Sequence, residues 1–157
     1  MLPRTYENQV CSVARTLEVI GDRWTMLVIR DAFLGLRRFE DIQRDLGIAR
    51  NVLADRLARL VDEGVLERRL YQEKPARHEY RLTDKGRDLW PVMVGLMRWG
   101  DRHSPAEGGP PSRVVHRDCG GELDDRLICE RCGEPVTVES ARVERRPDLV
   151  ATQAPAA

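Results

Sequence analysis

Four residues near the C-terminal end carry the most specific chemistry in this chain of 157 residues. His116 and Cys119 are separated by two residues, as are Cys129 and Cys132, and nine residues lie between the two pairs. One imidazole and three thiolates form a donor set for a closed tetrahedral Zn2+ site. Four protein ligands leave no open coordination position, so the role expected of the metal is structural rather than catalytic. Gly120 and Gly133 directly follow Cys119 and Cys132, where backbone N–H groups must turn toward the sulfurs. Arg113-Val114-Val115 and Arg126-Leu127-Ile128 read as short flanking strands, giving the outline of a miniature zinc ribbon. A module of about 30 residues with few apolar side chains needs such a staple to fold. On spacing alone, a Cys129–Cys132 disulfide or unligated thiols stay open as alternatives.

The fourth cysteine, Cys11, stands alone ahead of an expected helix. Two readings apply to it. The positive end of the helix dipole can acidify a thiol and make it a redox sensor, or the residue is a small apolar side chain buried at an interface.

A second constellation lies in the middle of the chain. A helix opening near Ala49 has Leu53, Leu57, Leu60 and Val61 at core-facing spacing,. The opposite face then carries Arg50, Asn51, Ala54, Asp55, Ala58 and Arg59. Small residues permit close approach to a DNA major groove, and Asn and Arg present donors to base edges and phosphates. Asp55 is out of place beside phosphates, and Arg59 at i+4 can neutralise it. Lys74, Arg77 and His78 sit at the tip of an expected hairpin, and Arg38 precedes another helix. These residues suit the sugar-phosphate backbone or the minor groove.

The elements that must position these groups can be read in order. Helices are expected over 12–20, with Val13, Leu17 and Ile20 on one side, and over 23–34, capped by Asp22 and apolar at Trp24, Leu27, Val28 and Phe33,. A third runs from Phe39 to Leu46, Gly47 makes a tight turn, and the fourth runs to Glu63. Val65–Tyr71 and Glu79–Leu82 read as two strands around a polar tip containing Pro75,. Thr83 caps a long helix over 84–100, which Pro91 must kink or break,. Helix, glycine turn, helix and hairpin define a winged helix-turn-helix. The fold class is therefore mainly α with a small β-hairpin wing, plus a small Cys-rich C-terminal module. The division expected is a DNA-binding and dimerisation domain over 1–103, a Pro/Gly linker over 104–112, the zinc-ribbon-like module over 113–143, and a disordered tail over 144–157.

Net charge is zero. Residues 1–103 carry +3 and the remainder −3, so basic groups must act through local clustering. Lys74 and Lys85 are the only lysines. No apolar run approaches the roughly 18 residues of a membrane span, and MLPRTYENQV lacks the apolar core of a secretory signal. A cytoplasmic location is the expectation. No Ser/His/Asp or Cys/His constellation and no phosphate-cradling glycine loop points to an enzyme.

Residues 11 to about 103 resemble the HxlR family of bacterial winged-helix regulators, relatives of the MarR type. The resemblance rests on Cys11 with Leu17-Glu18-Val19-Ile20-Gly21-Asp22-Arg23-Trp24-Thr25, and on Leu34-Gly35-Leu36-Arg37-Arg38-Phe39-Glu40-Asp41-Ile42. It continues through Leu46-Gly47-Ile48, Leu53-Ala54-Asp55-Arg56-Leu57 and Leu60-Val61-Asp62-Glu63-Gly64, and in the wing through Arg68-Arg69-Leu70-Tyr71 and Arg77-His78-Glu79-Tyr80-Arg81-Leu82-Thr83-Asp84-Lys85-Gly86. What it implies is a transcriptional regulator binding double-stranded DNA as a homodimer on an inverted repeat, with both terminal helices at the dimer interface. It also implies a response to a small molecule or a redox signal, sensed in some members by a cysteine near the position of Cys11. In an effector cleft of the kind such proteins hold, Trp24, Trp90, Met93 and Met97 are the candidate lining. The competing reading is a metal-stapled protein–protein adaptor without sequence-specific DNA binding.

Overall fold

A computed structural model describes residues 10–146. They form two compact units, one ending at Gly86 and the other beginning at Arg87.

The first unit opens with α1 (Ser12–Ile20) and α2 (Arg23–Phe33). Asp22 separates them as an N-cap, its carboxylate accepting the N–H of Trp24 at 2.9 Å and of Thr25 at 3.2 Å,. α3 (Phe39–Leu46) and α4 (Arg50–Asp62) follow. Between them Gly47 takes φ +62°, and its N–H closes α3 onto the Gln43 carbonyl at 2.9 Å. That left-handed step lets two helices turn within three residues, which a side chain would resist. Leu53, Leu57 and Leu60 of α4 are fully buried, together with Val28 and Ile29 of α2 and Ile42 of α3. α2 is the central element, packing against α1, α3 and α4. The expected stripe on α2 is only partly its buried face. Val28 is buried, Trp24, Leu27 and Phe33 are half-buried, and Ile29, Thr25 and Asp31 complete the interior.

The wing is β1 (Leu66–Gln72) paired antiparallel with β2 (Arg77–Leu82), Leu66 facing Leu82. A bulge at Tyr71 shifts the register near the tip, which turns that side chain relative to its neighbours. Arg38 adds a short third rung, bridging to Glu79, while the Tyr80 N–H donates to the Arg37 carbonyl at 2.8 Å. The loop before α3 is thereby sewn to the wing.

The helix expected over 84–100 is broken in two. α5 (Asp84–Arg87) is a single turn, capped by the Thr83 hydroxyl accepting the Gly86 N–H at 3.1 Å. α6 (Trp90–His103) starts just before Pro91. A proline ring clashes with the carbonyl four residues earlier, here that of Arg87, so the helix ends there and restarts.

In the second unit, α6 is followed by β3 (Ser112–His116) and β4 (Ala141–Arg145), paired antiparallel from Ser112↔Arg145 to His116↔Ala141. Three sequence expectations change here. By packing, α6 sides with the Cys-rich module rather than ending a domain at residue 103, because Arg98 and Arg102 bond to Leu123, Asp124 and Asp125. Arg126-Leu127-Ile128 is not a strand. The Asp124 carboxylate accepts the N–H groups of Arg126 and Ile128, both at 2.9 Å, and curls the segment into a turn with Leu127 at φ +61°,. The real partner of β3 is β4, so Glu144 and Arg145, assigned to the tail, belong to the sheet. Residues 147–157 of that expected tail lie outside the described residues.

Among the described residues no helix is long and apolar enough to cross a membrane.

Candidate nucleic-acid interface and metal centre

With three leucines committed to the core, the outward face of α4 presents Arg50, Asn51, Ala54, Asp55, Ala58 and Arg59, all exposed. Arg50 stacks its guanidinium 4.6 Å over the ring of Phe39, which orients it at the start of the helix,. Asp55 pairs with the adjacent Arg56 rather than with Arg59. Arg59 donates instead to the Glu18 carbonyl near the end of α1. Arg56 also reaches across to the Asp22 carboxylate, at 2.9 and 3.3 Å. The Arg56 hydrogen bond is the main reason the Asp22 carboxyl is held below its ordinary value, and burial opposes it. Arg56 therefore clamps the α2 cap to α4. Its partner lies 34 residues away in sequence, and no local pattern marks it.

On the wing, Lys74 and Arg77 are exposed. His78 is half-buried, with Nδ1 3.0 Å from Arg68 Nη2, and since a guanidinium only donates, Nδ1 accepts,. Arg38 occupies the N-cap position of α3 without a capping side-chain bond, and its guanidinium lies 4.8 Å over the ring of Tyr71. The bulged tyrosine thus holds a cation between the α3 N-terminus and the wing. A helix N-terminus, a cation beside it and a basic hairpin tip are what a phosphate backbone requires.

In the second unit, His116, Cys119, Cys129 and Cys132 converge with all donor atoms within 4.8 Å of one another. His116 Nδ1 lies 3.2 Å from Cys132 Sγ and 3.5 Å from Cys119 Sγ. Cys119 Sγ lies 3.4 Å from Cys129 Sγ and 3.7 Å from Cys132 Sγ. Zinc–sulfur bonds of about 2.3 Å imply tetrahedral edges of about 3.8 Å, so the four donors fit one ion. All four cysteines are free thiols, which removes the Cys129–Cys132 disulfide alternative from this structure. The His116 Nε2 edge lies 3.7 Å from the exposed Asp118 carboxylate, beyond hydrogen-bond distance,. Gly120 and Gly133 both take positive φ, at +69° and +77°, and their N–H groups close onto the carbonyls of His116 and Cys129 at 2.8 Å. A Cβ on Gly121 would stand 2.5 Å from Cys129 Sγ. Burial pushes the Cys129 thiol up, but N–H groups of Cys132 and Arg131 and the neighbouring thiols bring it down to about 6. The cluster can hold a metal.

Cys11 is exposed at the N-cap of α1, its carbonyl accepting the Arg15 N–H at 3.1 Å. The candidate effector residues fall in both units: Trp24 on α2, half-buried, and Trp90, Met93 and Met97 on α6, of which Trp90 is buried. A cavity of about 480 Å³ in the second unit is lined by other residues, including Arg113, Glu122, Glu130 and Arg131.

A recognition helix behind a glycine turn, with a basic wing beside it, defines the class: winged helix-turn-helix DNA-binding proteins. The family model for the HxlR-like helix-turn-helix matches residues 19–108. The chain belongs to this family of transcriptional regulators, which are not enzymes. It is 48% identical over 140 residues to an HTH-type transcriptional regulator of Mycobacterium bovis, covering 89% of each chain. A protein of Mycobacterium tuberculosis with the same description matches equally well. Among solved structures, that of the transcription factor PA1607 superposes with a TM-score of 0.69 at 42% identity, covering 90% of this chain and 99% of that one. Such coverage extends beyond residue 108 and into the Cys-rich module. The redox regulator HypR in its oxidized form matches at 32% identity and TM-score 0.56, over 59% of this chain and 97% of its own.

Proposed function

We propose that this regulator binds an inverted-repeat operator as a homodimer, one α4 entering the major groove at each half-site. The observation that carries the reading is the exposed Arg50–Arg59 face of α4, opposite a fully buried leucine stripe. Arg50 and Asn51 lie in the first turn, the part of a recognition helix that goes deepest. Lys74, Arg77 and His78 on the wing, and Arg38 before α3, take the flanking phosphates or the adjacent minor groove. Two apolar surfaces support the homodimer: Val13 and Leu17 on α1, and Val92, Leu96 and Trp99 on α6, all exposed in the single chain. Two half-sites then stand about one DNA turn, roughly 34 Å, apart.

The His116–Cys119–Cys129–Cys132 cluster holds a structural Zn2+, which supplies the folding free energy that few apolar side chains cannot. The inducing signal is a small molecule or a redox change. Cys11, exposed at a helix N-cap, is the residue through which an oxidant would act, and a structural relative is described as a redox regulator. A gel shift against the promoter beside its own gene tests the central reading. Arg50→Ala and Asn51→Ala are expected to lower affinity while the fold is kept. Undiminished binding in both would remove α4 from the interface, and no binding to any selected sequence would favour the adaptor reading.

A further inference from the structure

We propose that metal loading of the Cys-rich module governs dimer assembly, through Arg98 and Arg102 of α6. The proposal rests on the metal and homodimer readings given above. α6 has two working sides. One carries Val92, Leu96 and Trp99, which are 43, 52 and 62% exposed. The other grips the loop between the two ligand pairs. Arg98 Nη1 donates to the carbonyls of Leu123 and Asp124, each at 2.5 Å, and Arg98 Nη2 lies 3.3 Å from the Asp125 carboxylate. Arg102 reaches the same carboxylate at 3.2 Å.

The gripped loop is also the arm that delivers Cys129. Leu123 bridges antiparallel to Cys129, the Asp124 N–H donates to the Ile128 carbonyl at 2.8 Å, and the Glu130 N–H donates to the Glu122 carbonyl at 2.8 Å. One small antiparallel arm thus carries Cys129 on one strand and, on the strand facing it, the two carbonyls that converge on Arg98. Two carbonyls can share one guanidinium nitrogen only while that arm is folded. The module buries only a few side chains, among them Val114, Val115, Leu123 and Val136. Such a module is folded with metal and unfolded without it. Losing the arm releases both arginines, and the last turns of α6, where Trp99 sits, are left to fray.

The two-state element is therefore the arm together with the end of α6. Metal favours its folded state, and so does a partner α6 packed on Leu96 and Trp99. Linkage then runs both ways, and dimerisation must tighten metal retention by the factor by which metal tightens the dimer.

Sedimentation equilibrium on the full chain tests this, with metal content measured on the same samples before and after chelation. Removing metal is expected to raise the dimer dissociation constant about tenfold, within the range usual for coupled sites, and added Zn2+ is expected to restore it. The double variant Arg98→Gln, Arg102→Gln leaves every ligand in place. It is expected to keep one metal ion per chain yet dimerise about tenfold more weakly. A dissociation constant that does not change when metal content falls to zero would overturn the coupling. So would a double variant that dimerises like the wild type. A chain that takes up no Zn2+ would overturn the metal reading instead, and one that sediments as a monomer throughout would overturn the dimer reading.

Discussion

Asp31 is a carboxylate in the apolar interior of the helix-turn-helix. It is fully buried, Oδ1 is held by Arg30 Nε and Nη2 at 2.9 and 2.7 Å, and Oδ2 has no hydrogen-bond partner. Burial pushes its carboxyl up to about 6, against the pull of Arg30. The native state therefore binds a proton there more tightly than the unfolded chain does. Its contribution to stability is fully present below about pH 4 and is lost as pH rises through about 6. Between pH 7 and pH 5 the wild type is expected to gain melting temperature relative to Asp31→Asn, which cannot titrate. Parallel pH profiles for the two proteins would refute the assignment. On the exposed face of α4 the residues divide differently. Asn51→Ala should cost about 1–3 kcal/mol of operator affinity with little change in stability. Arg56→Ala, five residues further along the same helix, should instead lower the melting temperature, because Asp22 loses its clamp.

At the level of elements, the wing and the metal knuckle make separable predictions. Lys74 and Arg77 stand exposed at the hairpin tip. Replacing both with Gln should weaken binding to all sequences alike and lower the salt slope by about 1 for each phosphate contact removed. A slope unchanged in gel shifts across a salt series would place the wing off the DNA. Gly121 sits where a Cβ would meet Cys129 Sγ at 2.5 Å and Arg131 Cβ at 2.6 Å. Gly121→Ala should therefore lose bound metal while the helix-turn-helix unit keeps its helical signal. Much of the element order was legible beforehand. α1 and α3 have the bounds their periodicity implies, and the Thr83 cap and the Pro91 break come from chemistry confined to a few residues. β4 was not legible, because Ala141–Arg145 offers only two apolar residues, Ala141 and Val143, and pairs with a strand 25 or more residues earlier.

For the whole molecule, the proposed homodimer would use apolar surfaces that the single chain leaves exposed. Leu96 is 52% exposed, so Leu96→Asp costs little in the isolated chain but would place a charge in the proposed dimer interface. Operator binding by this variant should become strongly dependent on protein concentration, with its melting temperature nearly unchanged. The four candidate metal ligands were legible as a set, since x₂ spacing and a following glycine are local features. That they would face one another through His116 Nδ1, and that the arm between them would be held by α6, was not.

The sequence by itself determined the winged helix-turn-helix order, the leucine face that commits α4 to the core, and the four candidate metal donors. Periodicity, capping and ligand spacing act within a few residues, and composition alone encodes them. Only the tertiary structure decided that Arg56 rather than Arg59 accompanies Asp55, that Arg38 rests on Tyr71, and that Cys119, Cys129, Cys132 and His116 close on one point. Those outcomes depend on which distant side chains arrive at the same place. Long, flexible arginines have several partners within reach, and packing chooses among them.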